Sequence, residues 1–267
     1  MMKRIVFVFV CLSLLFVGCA PKQELPVNHV SNTYTLHTID TLNSLSILYM
    51  DFKVEWPCRQ DSVLEAIRKD IMAQIFGVDA VGHSIEEAIL LYTDTLRKQY
   101  RNEFAVDESI GLEEEECGKI FHKMTVSIDD PCECFLNFEF YEEQGSSFAP
   151  HGSHTTLYYS YDRRTGKRLT EQELFKEGYE EALTKLLSRA IWNAHGRTGR
   201  VRSLENIGMD VTQAEPNNNF YINEENITYL FQENEIACYA EGPQQAVVAL
   251  EDMREWLRDT TIIHHHE

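Results

Sequence analysis

The sequence is short of basic residues, and this shortage excludes one large class of function. Lys and Arg number 24 against 43 Asp and Glu in a chain of 267 residues, which gives a formal net charge of -19. A surface with such an excess of negative charge repels nucleic-acid backbones and anionic membrane surfaces, and it attracts cationic partners. We therefore exclude a nucleic-acid-binding role.

The sequence also lacks the short motifs that mark common enzymes. It contains no G-x-S-x-G nucleophile elbow, no phosphate-binding P-loop, no dinucleotide-binding glycine pattern and no H-E-x-x-H zinc-protease motif. Carboxylate pairs for glycoside hydrolysis stay open as an alternative, because 43 acidic residues allow many pairs whose separations the sequence does not give. We expect a protein that is not an enzyme and that holds no cofactor and no metal.

Cysteine is sparse and does not define a disulfide framework. Apart from Cys11 and Cys19 near the N-terminus, five cysteines remain, and an odd number leaves at least one thiol unpaired in a monomer. These are Cys58, Cys117, Cys132, Cys134 and Cys238. The C-x-C pair at 132 and 134 has no second pair and no neighbouring histidine, so we interpret it as buried thiols rather than a metal site.

Only one long apolar run occurs, and it lies at the N-terminus. The basic pair Lys3-Arg4 precedes residues 5–17, a run too short for a permanent membrane helix, which needs roughly 20 residues. Gly18-Cys19 ends the run and resembles the lipobox of bacterial lipoproteins, in which the cysteine is lipidated and becomes the new N-terminus. An ordinary secretory signal is the alternative. We expect a signal peptide at 1–18 and a lipid anchor on Cys19.

Removal of the signal peptide concentrates the acidity on the exported part. The cleavage takes away two basic residues and no acid, so 22 basic residues remain against 43 acids and the net charge becomes -21. Residues 19–35 contain Pro21 and Pro26 without clear periodicity, which is typical of a tether. We expect export to the cell envelope, on the periplasmic or surface face of the outer membrane. A tail at 259–267 ends in a histidine run that is too terminal for a catalytic site.

The first half of the exported part has clear strand and helix patterns. Alternation over 45–57 predicts a half-buried strand that ends at Pro57. Ser62 and Ser84, each followed by Glu three residues later, predict the starts of two helices. Two more strands are predicted at 120–128 and 135–141, followed by a loop at 142–153.

The second half has one long helix pattern, at about 180–195, and several short strand patterns. These strands are predicted at 154–162, 220–222, 227–231, 236–239 and 246–250. Because helices and strands are partly segregated along the chain, we expect an α+β fold with antiparallel sheets packed against helices. Residues 36–145 and 146–258 would form the N-terminal and C-terminal halves of one composite domain.

Several motifs of the second half carry a resemblance to a known family. Gly152-Ser153-His154 precedes a strand that ends in Tyr161-Asp162, and a turn follows at 163–167. Asn219-Phe220-Tyr221-Ile222 leads into the strand at 227–231, and residues 235–243 precede the last strand. Over about residues 150–250 the chain resembles the extracytoplasmic domain of unknown function found in the lysozyme-binding anti-sigma factor RsiV, in the peptidoglycan deacetylase PdaC and in lipoproteins of Bacteroides-like bacteria. The resemblance implies helices packed against an antiparallel sheet.

The resemblance does not imply deacetylase activity. In the deacetylase, the chemistry belongs to a separate domain with an Asp-Asp metal motif. Asp129-Asp130 of this chain precedes Pro131 in a turn and lacks the aromatic and glycine context of that motif. The resemblance therefore favours binding over catalysis.

Five residues near this region are the candidates for ligand binding. His151 and His154 flank a glycine-rich loop and are expected to line a surface cleft, although a structural histidine explains each of them too. Tyr158 and Tyr159 are placed to stack on sugars, although cross-strand packing explains them equally well. Asp162 begins the turn that contains Gly166, where glycine tolerates positive φ.

We expect an envelope-anchored lipoprotein with a non-catalytic binding domain. Its ligand would be a cell-wall glycan such as a peptidoglycan fragment, or a cationic protein such as lysozyme. The alternatives are a hydrolase that acts on envelope polysaccharide and a structural scaffold lipoprotein.

Overall fold

The computed structural model describes residues 31–43, 46–104, 118–129, 132–147, 149, 151–196 and 214–262. The predicted α+β class is confirmed, since the described part contains a six-stranded sheet, a three-stranded sheet and four α-helices. The predicted signal peptide, Cys19, Cys117 and the terminal histidine run lie outside the described residues. Among the residues described, no helix combines the length and apolar character that crossing a membrane requires.

The elements occur in a simple order along the chain. The first half contains β1 (Ser31–Asn43), β2 (Ser46–Pro57), α1 (Ser62–Phe76), α2 (Ile85–Glu103), β3 (Gly118–Asp129) and β4 (Phe135–Ser146). The second half contains β5 (Ser153–Asp162), β6 (Arg168–Leu169), α3 (Glu171–Leu174), α4 (Glu180–Gly196), β7 (Phe220–Ile222), β8 (Asn226–Phe231) and β9 (Gln244–Ala249). Short 3-10 helices lie at Val78–Ala80, Tyr239–Glu241, Leu250–Met253 and Thr260–Ile262.

The large sheet has the strand order β1-β2-β3-β4-β5-β6 and crosses the boundary between the two predicted halves. All its neighbouring strands are antiparallel except β2 and β3, which run parallel. A parallel pair needs a crossover connection, and the chain between these two strands contains α1 and α2. The prediction of an antiparallel sheet therefore holds for every pair but this one.

The first core lies between the large sheet and helices α1 and α2. Alternate residues of β2 point into it, which confirms the half-buried strand predicted from the sequence. Ile67 and Ile71 of α1 and Ala88 of α2 are fully buried in the same cluster. At the start of α2, Ser84 and Glu87 form the predicted capping box by exchanging side-chain and backbone hydrogen bonds.

The second core lies under the small sheet, whose order is β7-β8-β9. Leu183, Leu187 and Ile191 of α4 pack in one cluster with Tyr229 and other residues of this sheet. Phe135 at the start of β4 belongs to the same cluster, so a strand of the large sheet also takes part in the second core.

Three elements differ from the sequence-based expectation. β1 begins at Ser31, inside the segment expected to be a tether, and β4 continues to Ser146, inside the segment expected to be a loop. The strand expected at 236–239 is not formed. Its apolar pattern comes from Ile236 and Ala237, which are buried in the second core where the chain leaves a turn at Asn234 (φ 62°).

Candidate functional site

Strand β5 carries four of the five candidate residues, with Asp162 at its end, and separates them onto two faces. Successive side chains of a strand point to opposite faces. His154 and Tyr158 share the face toward the small sheet, whereas Tyr159 packs against the first core on the other face. The candidate residues therefore do not form one site.

The two histidines have different surroundings. His151 is exposed ahead of β5, and its ring centroid lies 5.7 Å from that of Tyr239. Nε2 of His154 lies 3.3 Å from Oε1 of Glu233, and its ring lies 6.1 Å from that of Tyr141. His154 thus connects β5 to the turn after β8, which is the structural role that the sequence left open.

Asp162 organises the turn after β5. Its carboxylate accepts hydrogen bonds from the backbone N–H of Arg164 at 2.7 Å and from the Arg164 guanidinium at 3.1 Å. Burial acts to raise the pKa of Asp162, but these hydrogen bonds outweigh it and lower the pKa below its ordinary value. Gly166 completes the turn with φ 73° and donates its N–H to the Asp162 carbonyl at 2.8 Å.

Tyr158 lies in a cleft where the small sheet meets the large one. We call this the tyrosine–acid cleft and define it by Tyr158, Tyr221, Glu139 and Asp129. The rings of Tyr158 and Tyr221 have their centroids 4.9 Å apart, and the Tyr158 hydroxyl donates to Oε2 of Glu139 at 3.2 Å. The cleft has a volume of about 240 Å³.

The charge of the tyrosine–acid cleft is negative. Its described lining contains two carboxylates, Glu139 and Asp129, and neither Lys nor Arg. Burial raises the pKa of Tyr158, and the charges of Glu139 and Asp129 raise it further. The Tyr158 hydroxyl therefore stays protonated at neutral pH and remains a hydrogen-bond donor.

Two asparagine side chains hold the small sheet beside β4 and β5. Nδ2 of Asn137 donates to the Ile222 carbonyl at 3.0 Å, and this asparagine is almost completely buried. Oδ1 of Asn219 accepts from the Tyr158 backbone N–H at 2.9 Å. Together they fix β7 where Tyr221 can contact Tyr158.

The sequence indicated only part of this cleft. Tyr158 is one of the candidate residues, and Tyr221 belongs to a motif that carries the family resemblance. Glu139 lies directly opposite Tyr158 in the β4–β5 register, so a correct strand pairing would have identified it. Asp129 and Tyr221 come from elements far apart in the chain, and no pattern in the sequence indicates that they meet.

His151 lines a second recess, which we call the His151 pocket. It lies between the C-terminal turn of α2 and the turn that joins β4 to β5, and its volume is about 380 Å³. Tyr100 and Gln144 line it as well, and the Tyr100 hydroxyl donates to Oε1 of Gln144 at 3.0 Å.

A buried hydrogen-bond network stands directly behind this pocket. His122 is 2% exposed, and both of its ring nitrogens have partners: Nδ1 lies 2.9 Å from the Tyr100 hydroxyl and Nε2 lies 2.8 Å from Oε1 of Glu142. The Tyr92 hydroxyl donates to the same Glu142 oxygen at 2.7 Å. The network therefore connects α2 to β3 and β4 through side chains alone.

With this geometry in place, comparison with known proteins gives the family context. The matching family model is described as "Protein of unknown function (DUF3298)". Residues 172–251 match DUF3298. No curated protein matches the chain.

Two solved DUF3298 structures share the fold. A DUF3298 protein from Bacteroides fragilis has a TM-score of 0.68 and 22% identity, over 88% of this chain and 96% of that one. A DUF3298 protein from Pseudomonas aeruginosa has a TM-score of 0.56 and 11% identity, over 90% of this chain and 100% of that one. At these identities the similarity shows the fold alone.

The DUF3298 match covers only one wall of the tyrosine–acid cleft. Residues 172–251 include Tyr221 and Asn219, whereas Tyr158, Glu139 and Asp129 precede them. The cleft is therefore built jointly by the DUF3298 segment and the large sheet.

The described residues contain no group of three His, Cys, Asp or Glu that could hold a metal ion. Burial raises the pKa of the Cys132 thiol to about 11 and also raises that of Cys134. Both side chains are partly buried against the second core, rather than fully buried as the sequence indicated.

Proposed function

We propose that the protein is an exported, lipid-anchored envelope protein whose non-catalytic domain binds a cationic protein, such as lysozyme, through the tyrosine–acid cleft. The observation that carries the proposal is a cleft in which two tyrosine rings lie beside two carboxylates. The described lining of this cleft contains neither Lys nor Arg.

The chemistry of the cleft suits a lysine or arginine side chain of a partner. Glu139 and Asp129 offer oxygens to an ammonium or guanidinium group. The faces of Tyr158 and Tyr221 attract the same cation, with about 0.5–1 kcal/mol at an exposed site and about 2 kcal/mol when the cation is desolvated. A net charge of -21 on the exported part would add long-range steering of a cationic partner.

Binding to lysozyme tests the proposal directly. The purified protein is immobilised, and lysozyme retention is measured as the salt concentration rises. We expect retention at low salt and release at high salt, because exposed charges are screened beyond about 8–10 Å at physiological ionic strength. Absence of retention at any salt concentration would remove lysozyme from consideration.

A charge-matched pair of variants separates the cleft from the overall charge. The double variant Glu139→Gln and Asp129→Asn removes both cleft carboxylates. The control Glu177→Gln and Asp79→Asn removes two exposed carboxylates elsewhere. We expect the cleft variant to weaken binding about tenfold or more and the control to change it little. Equal losses would mean that net charge alone attracts lysozyme.

The same proteins test the hydrolase alternative. Incubation with envelope polysaccharide and measurement of new reducing ends detects glycoside cleavage. We expect none, because one of the two cleft carboxylates, Glu139, is engaged by the Tyr158 hydroxyl. Turnover that disappears with Glu139→Gln would replace the binding proposal with hydrolysis.

Lipidation at Cys19 is tested by a separate experiment. Cells that express the chain are labelled with a radioactive fatty acid and fractionated. We expect label and protein together in the membrane fraction, and we expect Cys19→Ala to lose both. A labelled Cys19→Ala variant would contradict lipidation at this residue.

A further inference from the structure

We propose that the His151 pocket is a second binding site, which takes one neutral sugar residue of a glycan. The proposal is independent of the tyrosine–acid cleft and of the cationic partner assigned to it. It is carried by the volume of the pocket, its polar lining, the exposed ring of Tyr239 beside His151 and the buried network that supports one wall.

The size of the pocket and the exposed aromatic ring beside it suit a small polar ring. A volume of about 380 Å³ lies within the range of small-molecule sites, roughly 300–1,000 Å³. Next to the pocket, the ring of Tyr239 lies 5.7 Å from the ring of His151, which is a lining residue, and the two rings are tilted by 38°. The side chain of Tyr239 is 44% exposed, so it offers an apolar face on which the C–H groups of a sugar can pack.

The polar lining indicates a neutral ligand. Ser146 and Ser153 contribute hydroxyl groups, Gln144 contributes an amide, and Glu103 contributes a carboxylate. Among the described lining residues there is no Lys or Arg, so an anionic ligand would meet Glu103 without a compensating charge. Hydroxyl and amide groups match the alternating donors and acceptors of an uncharged sugar.

The buried network gives Gln144 a fixed orientation. Because the Tyr100 hydroxyl donates to Oε1, the amide NH₂ of Gln144 is left as a donor for a ligand. Tyr100 is itself held by His122, which is held in turn by Glu142. Side chains fixed in this way lose little conformational freedom when a ligand binds. His122 and Glu142 are thus positioning residues for this wall.

Gly152 allows the close approach of two strands that forms one wall of the pocket. A Cβ atom on Gly152 would lie 2.8 Å from the carbonyl oxygen of Gln144, a distance that real Cβ atoms do not show. Gly152 therefore lets the start of β5 approach β4 closely enough to form this wall.

The test uses the full chain and the N-acetylglucosamine tetramer as the probe. Binding is measured by titration calorimetry and by ligand-observed NMR. We expect saturable binding that Gln144→Ala and Tyr239→Ala each weaken about fivefold or more. Tyr239→Ala alters only an exposed residue that contacts His151 from outside the buried network, so it keeps the test valid even if Gln144→Ala destabilises the fold.

Two controls separate this pocket from the rest of the surface. His37→Ala removes an exposed histidine at a distant strand, and Tyr221→Ala removes a ring of the tyrosine–acid cleft. We expect both to bind the tetramer like the wild type. The proposal would be overturned if Tyr221→Ala lost binding while Gln144→Ala and Tyr239→Ala kept it. That result would show that the tetramer binds in the tyrosine–acid cleft instead.

Two further results would also overturn it. One is the absence of saturable binding of the tetramer up to about 10 mM. The other is a preference for the anionic glycan polygalacturonate over the neutral tetramer. Neither result bears on lysozyme retention, so the two proposals can fail separately.

Discussion

The side chain of Asn219 makes hydrogen bonds to the β5 backbone at Tyr158 that a neighbouring strand would otherwise make. Its Oδ1 accepts from the Tyr158 backbone N–H at 2.9 Å, while its Nδ2 donates to the Thr156 carbonyl at 3.0 Å. Strand β6 pairs with β5 only at Ser160 and Tyr161, so the backbone before them has no strand partner on that side in the described structure. An amide side chain thus closes the edge of β5 and fixes the ring of Tyr158 in its cleft.

Replacement of Asn219 by Ala should destabilise the protein. The variant leaves the Tyr158 N–H without this acceptor in a partly buried place, a loss that costs about 1–3 kcal/mol, whereas the Thr156 carbonyl keeps Gln232 as a donor. We expect a decrease of about 1–3 kcal/mol in the free energy of unfolding, measured by urea denaturation. Asn32→Ala, on the exposed face of β1, is the control and should change stability little. An equal effect of both variants would contradict the edge role of Asn219.

Gly152→Ala should also destabilise the protein, for a steric reason. The new Cβ would lie 2.8 Å from the backbone oxygen of Gln144, which cannot move aside as a flexible side chain could. We expect a loss of about 1–3 kcal/mol, measured by thermal unfolding. The neighbouring variant Ser153→Ala, at an exposed position, is the control. Unchanged stability in Gly152→Ala would mean that β4 and β5 can move apart without lowering the free energy of unfolding, which would contradict this steric role of Gly152.

The predictable parts of the fold are those with local signals. The alternation in β2 and the capping box at Ser84 follow from neighbouring residues, so the sequence alone predicted them. β1 was missed because it follows proline-containing chain and has few apolar residues. It forms because it pairs along β2, a contact between segments that no local pattern encodes.

The candidate site was only partly predictable for the same reason. His151 and Tyr158 were identified, and they line two separate recesses. Their partners Tyr100, Gln144 and Tyr221 come from other elements and depend on register and on the crossing of the two sheets. The sequence places His122 only within the strand predicted at 120–128. Its role appears once α2 places Tyr100 beside it.

Cys132 should react slowly with thiol reagents. Burial raises the pKa of its thiol to about 11, so at pH 8 only about one thiol in a thousand is the reactive thiolate. We expect iodoacetamide to modify Cys132 at least about tenfold more slowly than glutathione, as followed by peptide mass spectrometry. Denaturation in urea should remove the difference and so serves as the control. Modification as fast as that of glutathione would contradict burial of this thiol.

Acidification should weaken the attachment of α2 through Glu142. Burial acts to raise the pKa of Glu142, but hydrogen bonds from His122 and Tyr92 outweigh it and lower the pKa below the ordinary value of 4.5. A carboxylate with a lowered pKa in the folded state stabilises the protein above its unfolded-state pKa. That stabilisation is lost as the pH falls through the folded-state pKa.

The variant Glu142→Gln tests this linkage because it removes the titration. We expect the variant to be about 1–3 kcal/mol less stable than the wild type at neutral pH, with a difference that shrinks as the pH falls below 4.5. Urea unfolding across this pH range measures the difference, and Glu86→Gln, at an exposed position on α2, is the control. A difference that stays constant on acidification would show that Glu142 is not the ionised partner of His122, and the positioning role assigned to this pair behind Gln144 would lose its basis.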